Sequence, residues 1–272
     1  MVGYNDKQTI RKHYDVVSPY YQSLWGEHIH HGYWIRGDET KEQAQLQLIE
    51  HLAQVAGIPP GCTILDSGCG FGSTAIYLAK KFGAKVTGIT ISPVQVEMAN
   101  CAARQQRADA KFLLMDAEEM KFDENFDLIW STESVAHYQD VPKFFASAAR
   151  FLKPAGILAI TDWFKKEKLK AAENKKFIHP IEKSMMVELH TMREYEEWMR
   201  ANGLNLAAQE ILNAKCAKTW DVCLEIIKKK EFWGLAAKKG AEFVRFLRGF
   251  SAMRAGFASG NFVYGLLVAK KG

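Results

Sequence analysis

Apolar and polar positions keep two periods along this chain. Over residues 42–56, Ala44, Leu46, Leu48, Ile49, Leu52 and Val55 recur at helical spacing and stop at Gly57-Ile58-Pro59-Pro60. A short buried run over 62–66 follows and reads as a strand. Helical spacing over 73–82, 93–106 and 141–151 then alternates with strand-like runs over 85–89, 111–114, 126–130 and 157–163. Ser92 is a candidate N-cap for the helix at 93–106, with Pro93 at its first position. Strands alternating with helices predict an α/β fold, a doubly wound, mostly parallel sheet covered on both faces.

The two ends depart from this rhythm. Residues 1–40 read as irregular and aromatic-rich, with Tyr14, Tyr20, Trp25, Tyr33 and Trp34 beside His28, His30 and His31. They are expected to form an N-terminal lid. Residues 41–164 are expected to form the core. After a lysine-rich break the pattern over 165–260 is mainly helical, at 192–201, 220–229 and 231–252, and predicts a cap. Residues 261–272 close the chain, with an apolar run over 261–269 that reads as an antiparallel strand returning to the sheet edge.

Composition narrows the classes. With 48% hydrophobic and 25% charged residues the chain is an ordinary globular one. A net charge of +5 is below what marks a nucleic-acid binder. The polar N-terminus has no apolar signal core, and no run of about 18 apolar residues occurs. The 5 cysteines are scattered and show no metal spacing. These features predict reduced thiols and a cytoplasmic protein.

The sharpest motif is Asp66-Ser67-Gly68-Cys69-Gly70-Phe71-Gly72, in which a strand ending in an acid runs into three alternating glycines and a helix. Glycines let the backbone turn tightly and let a ligand approach it. The third glycine comes two residues after the second, so the spacing is not that of the dinucleotide fingerprint. A nicotinamide dehydrogenase is disfavoured on that ground.

The run LDSGCGFGSTAIYLA resembles the first motif of class I S-adenosylmethionine methyltransferases, which carry a Rossmann-like fold. GITISPVQVEMA, MDAEEM, NFDLIWSTESVAH and FLKPAGILAITDW follow in the family's order. The upstream run YYQSLWGEHIHHGYW is similar to the subgroup of tocopherol, sarcosine/dimethylglycine, isoprenyl-diphosphate and sugar methyltransferases, and more distantly to cyclopropane fatty-acid synthases.

That resemblance implies S-adenosylmethionine as cofactor and S-adenosylhomocysteine as product. It places Gly68 and Gly70 under the methionine part, with Asp66 near its ammonium. Many class I enzymes have an acid where this chain has Thr90, so ribose recognition falls to Thr90 and Gln95. Asp116 and the Ala117 amide would read the adenine edge, Ser131 would meet the methionine moiety through its backbone, and Tyr33 and Trp34 would close the pocket. His28, His30 and His31 read as part of the lid rather than a metal site.

His137, Asp162 and Glu133 are the catalytic candidates. All three follow strands at the carboxyl rim of the sheet, where ligands bind. Histidine can act as a base near neutral pH, and an aspartate can orient it. Glu133 could pair with a substrate cation or hydroxyl. A backbone-satisfied histidine is the competing structural reading for His137.

The expected function is methyl transfer to a small, lipophilic or aromatic acceptor, with C-, N- and O-methylation left open. Trp-Ser-Thr-Glu-Ser after the fourth strand is unlike the base-flipping motif of nucleic-acid methyltransferases. The alternatives are a lipid-modifying enzyme of the cyclopropane-synthase type and a non-catalytic cofactor-binding module. Lys165, Lys166, Lys168, Lys170, Lys175 and Lys176 could form a positive rim with later basic residues. That rim would suit an anionic acceptor or peripheral membrane contact; the competing reading is a solvated face.

Overall fold

A computed structural model describes residues 4–231, 233–234 and 240–272. Phe232, Lys238 and Lys239, and part of the helix expected over 231–252, lie outside the described residues. The chain opens with α1 (Lys7–Leu24) and α2 (Lys41–Ala56). It alternates through β1 (Thr63–Ser67), α3 (Ser73–Phe82), β2 (Lys85–Thr90), α4 (Pro93–Gln106) and β3 (Ala110–Leu114). β4 (Phe126–Thr132), α5 (Val141–Phe151) and β5 (Leu152–Lys165) complete the alternation. The remainder holds α6 (His179–Met185), α7 (Met192–Ala201), β6 (Leu204–Ile211), α8 (Lys218–Ile226), α9 (Ala241–Ser259) and β7 (Phe262–Lys271).

The strands form one seven-stranded sheet in the order β3-β2-β1-β4-β5-β7-β6. β1 to β5 pair in parallel, and β7 runs antiparallel between β5 and β6. The antiparallel strand is therefore present at the expected end of the sheet, with β6 outside it. Period-2 alternation divides the core. Ile64, Leu128, Trp130 and Val268 pack into the cluster on one face, and Leu65, Ile129 and Leu267 into the other.

Local chemistry fixes the element ends. Thr40 caps α2 through a capping box with Gln43, and Gly57 ends it in the left-handed region. Ser92 accepts the Gln95 N–H and starts α4, with Pro93 in its first turn. Strand order reverses between β1 and β4, so a crevice opens beyond their carboxyl ends. The N-terminal region corrects the irregular reading, because residues 7–24 form a helix with Pro19 inside it. That helix lies across the crevice, where Ile10, Tyr14 and Val17 recur at i, i+4 and i+7.

Candidate active site

A cavity of about 210 Å³ fills the crevice. Its floor is the glycine turn after β1 and the rim of β4; its roof is α1 and the segment through His31; its far wall comes from α6, α8 and α9. The three motif glycines divide their work. Gly68 has φ +76°, and a Cβ there would stand 1.8 Å from Ser134 Oγ. A Cβ on Gly72 would meet the Phe112 ring at 2.7 Å, so this glycine lets helix and sheet approach. Gly70 has φ +53° with nothing within 4 Å of its Cβ position, and it lines the cavity. It leaves backbone open to a ligand.

Asp66 ends β1 on the cavity wall and is 3% exposed. Its Oδ2 has no hydrogen-bond partner among the described residues. Burial pushes its carboxyl up to about 7. A buried carboxylate without a partner is costly, and a cationic ligand group would relieve it.

Thr90 and Gln95 meet on the next stretch of wall. Thr90 donates to Gln95 Oε1 at 2.6 Å, and Gln95 donates to Ser18 of α1 at 3.1 Å. Asp116 and Ala117 line the cavity beyond them. Asp116 receives Lys7 Nζ at 2.6 Å, and the same ammonium lies 2.9 Å from Glu118. Glu118 also accepts the Gln139 and Asp140 N–H groups, which secures this end of the cavity. Lys7 and Glu118 escaped the sequence reading. The helical period of Ile10, Tyr14 and Val17 was the signal that could have brought α1 to the site.

His137 lines the cavity at the end of β4's rim. Its Nδ1 lies 3.1 Å from the Met186 carbonyl, and its Nε2 lies 3.2 Å from the Tyr14 hydroxyl. A carbonyl only accepts, so Nδ1 carries the hydrogen and Nε2 presents a lone pair. Burial pulls this imidazole down to about 4, against the opposing Met186 bond and Glu133 charge. The ring is therefore neutral at pH 7.

Glu133 also lines the cavity, with φ +52° in the left-handed region. Its Oε1 accepts the His31 N–H at 2.6 Å, His31 Nδ1 at 2.9 Å and the Tyr264 hydroxyl at 2.8 Å. Burial alone would raise this carboxyl; His31 outweighs it and holds the group below its ordinary value. A strained, buried, charged residue on a cavity wall is a functional-site pattern.

Several expected residues stand elsewhere. Asp162 does not reach His137. It accepts the Ala136 N–H at 2.9 Å, the Trp163 N–H at 2.8 Å and the Tyr195 hydroxyl at 3.2 Å. It is buried behind the turn that carries His137, so it positions that turn and does not orient the ring. Ser131 is fully buried, and Thr132, Glu133 and Ser134 line the cavity in its place. Tyr33 and Trp34 stand off the cavity. Tyr33 stacks on His51 with ring centroids 4.6 Å apart, and the Trp34 backbone N–H donates to the Lys215 carbonyl. Tyr14 and Trp25 close the pocket instead. Lys166, Lys168, Lys170, Lys175 and Lys176 are exposed, and none of them lines the cavity.

The crevice, the acid-tipped glycine turn and the two rim residues define the class, and comparison with known proteins agrees. The family described as mycolic acid cyclopropane synthetase matches residues 3–260. The 27-O-demethylrifamycin SV methyltransferase of Amycolatopsis mediterranei is 32% identical over 266 residues, 96% of this chain and 96% of that one. The 2-methyl-6-phytyl-1,4-hydroquinone methyltransferase of Synechocystis is 38% identical over 172 residues, 59% of this chain and 53% of that one. This chain spans about half the length of several curated relatives that it matches. The crystal structure of the [4+2]-cyclase SpnF is 26% identical and superposes with a TM-score of 0.86 over 97% of this chain and 95% of that one.

The chain belongs to the mycolic acid cyclopropane synthetase family and is an S-adenosylmethionine-dependent methyltransferase of the class I fold. Among the described residues no helix is long and apolar enough to cross a membrane.

Proposed function

We propose that the chain transfers a methyl group from S-adenosylmethionine to a hydroxyl of a small, lipophilic, uncharged acceptor. The observation that carries this reading is one cavity holding both the unpartnered Asp66 carboxylate and the Nε2 lone pair of neutral His137. The first suits the methionine ammonium, and the second suits a hydroxyl that must lose its proton.

The residues fit the cofactor. Asp66 would hold the ammonium, Gly70 would lie against the methionine part, and Gly68 keeps the turn tight beside Ser134. Thr90 and Gln95 would face the ribose, and Asp116 with the Ala117 amide the adenine. S-adenosylmethionine supplies a methyl group already activated on a sulfonium, whose leaving group is a neutral thioether.

The chain's own work is placement, exclusion of water and proton removal. Tyr14 gives up its bond to His137, and the acceptor hydroxyl takes its place. His137 Nε2 would receive the hydroxyl proton as that oxygen takes the methyl group. Glu133, through His31 and Tyr264, holds negative charge beside the reacting centre.

The cavity wall argues against an anionic acceptor. Lys7 is its only lysine or arginine among the described residues, and two carboxylates already engage it. Phe246, Phe250, Met253 and Trp25 give the wall an apolar character suited to a lipophilic body. The five free cysteines support a reducing, cytoplasmic setting.

The test is turnover with labelled S-adenosylmethionine on paired acceptors. A lipophilic alcohol or phenol should be labelled, and its preformed methyl ether should not. Labelling of both alike would place the methyl on carbon and remove the base role of His137.

A further inference from the structure

The cavity wall contains three ring nitrogens that the proposed methyl transfer does not use. His31 is 1% exposed, and its Nδ1 is committed to Glu133. Its other ring nitrogen, Nε2, has no partner among the described residues. The indole Nε1 atoms of Trp163 and Trp220 are likewise buried and unpartnered. All three residues line the same cavity.

The three rings adjoin. His31 meets Trp220 edge-on at 4.7 Å between centroids and Trp163 at 6.2 Å. Phe257 and Tyr264 both stack on His31. Buried polar atoms in native proteins nearly all find partners, so three orphaned ring nitrogens on residues of one cavity point to a ligand group.

We propose that His31, Trp163 and Trp220 form a second polar subsite that holds a non-reacting hydroxyl of the acceptor. The inference rests on the reading of His137 as the residue that faces the reacting hydroxyl. An indole N–H can only donate, so the atom bound there must accept. A hydroxyl oxygen accepts from an indole and can also answer His31 Nε2. A hydroxyl does so whether or not that nitrogen carries a hydrogen, because it both donates and accepts.

Trp163 adjoins both subsites. Its ring centroid is 6.2 Å from that of His137 and 6.2 Å from that of His31. The acceptor class is therefore a lipophile that carries a second hydroxyl beside the reacting one. A site built to hydrogen-bond a hydroxyl discriminates against an analogue that lacks it, because the buried groups are then left unpaired.

The full chain saturated with S-adenosylhomocysteine is titrated calorimetrically with 4-hexylphenol. It is then titrated with the catechol, resorcinol and hydroquinone that carry the same hexyl tail. At least one dihydroxy probe should bind about tenfold or more tighter than the phenol. That preference should shrink at least about threefold in Trp220→Phe or Trp163→Phe, which delete an indole N–H and keep an aromatic ring. Affinity for S-adenosylhomocysteine serves as the folding control. In the wild-type protein, an indole N–H proton resonance should also move on adding the preferred diol and stay in place with the phenol.

Equal binding of all four probes overturns the subsite, as does a preference that survives both tryptophan variants. Failure of every probe to bind while S-adenosylhomocysteine still binds also overturns it, and leaves the methyltransferase reading standing. Loss of S-adenosylhomocysteine binding itself would strike at that reading instead.

Discussion

The hydroxyl of Tyr14 donates to Nε2 of His137 across 3.2 Å, joining the N-terminal helix to the rim of β4. The bond shows which nitrogen of the ring is available. Nδ1 is tied to the Met186 carbonyl, so the free lone pair points at α1 and into the cavity. Any acceptor hydroxyl that reaches His137 must displace Tyr14 or share it.

His137→Ala should lower kcat on a hydroxyl acceptor by about 10²-fold or more, as expected for a general base. Tyr14→Phe keeps the lone pair and loses only the donor, so kcat should fall far less. Steady-state kinetics on both variants, with thermal melts as a folding check, measures this. Equal loss in the two would mean that the hydrogen bond, and not the base, matters.

Asp66 gives the unliganded protein a distinct pH signature. Burial raises its carboxyl from the model-peptide value of 3.8 to about 7. A raised acid contributes stability that is fully present below about 4 and is lost as pH rises through about 7. Burial lowers His28 to about 3 and His137 to about 4, and these give the opposite slope below their ordinary 6.5. The readout is therefore the difference between variants. Tm of Asp66→Asn minus that of wild type should climb between pH 4 and pH 7. Saturating S-adenosylhomocysteine should abolish the climb.

The motif glycines should separate into two kinds. Gly68→Ala and Gly72→Ala drive a Cβ to 1.8 Å from Ser134 Oγ and to 2.7 Å from the Phe112 ring, so both should lose stability. Gly70→Ala meets nothing within 4 Å and should cost only the roughly 1–2 kcal/mol of a left-handed residue. It should still weaken cofactor binding. Urea unfolding beside calorimetry tells the two kinds apart.

Asp162→Ala should destabilise the fold by roughly 1–3 kcal/mol, because the Ala136 and Trp163 N–H groups and the Tyr195 hydroxyl lose their acceptor. Tyr195→Phe removes one of these bonds and should cost less. The pH dependence of kcat should keep its shape in Tyr195→Phe. A shifted profile would restore a direct electrostatic role for Asp162 at His137.

Much of the fold was legible because local chemistry and tertiary packing agree. The helices at 73–82, 93–106, 141–151 and 192–201 start and stop as composition predicts, with Ser92, Asp140 and Thr191 accepting backbone N–H groups at three of them. α1 was not legible as a helix. Pro19 interrupts it, and what holds it is distant: Lys7 on Asp116, Asp15 on Ser92, and Ser18 on Gln95. β6 was hidden because every second residue faces solvent at the sheet edge, so Asn205, Gln209 and Ile211 blur its pattern.

At the site, position could be read but direction could not. Asp66, His137 and Glu133 lie on the rim where the strand ends place them. Asp162 shares that rim, yet Ala136 and Tyr195 turn its carboxylate away from the ring it was expected to serve. Tyr33 and Trp34 adjoin the histidine run, yet packing on His51 and a bond to the Lys215 carbonyl draw them off the pocket.

The cavity beside Asp66 is the proposed seat of the methyl donor and its product. Calorimetric titration of S-adenosylhomocysteine into wild type and Asp66→Asn at pH 8 tests it most directly. Wild type should bind clearly, and the variant at least about tenfold more weakly, since a buried charge-assisted bond is lost. Equal affinities in the two proteins, or no binding to wild type, would contradict it.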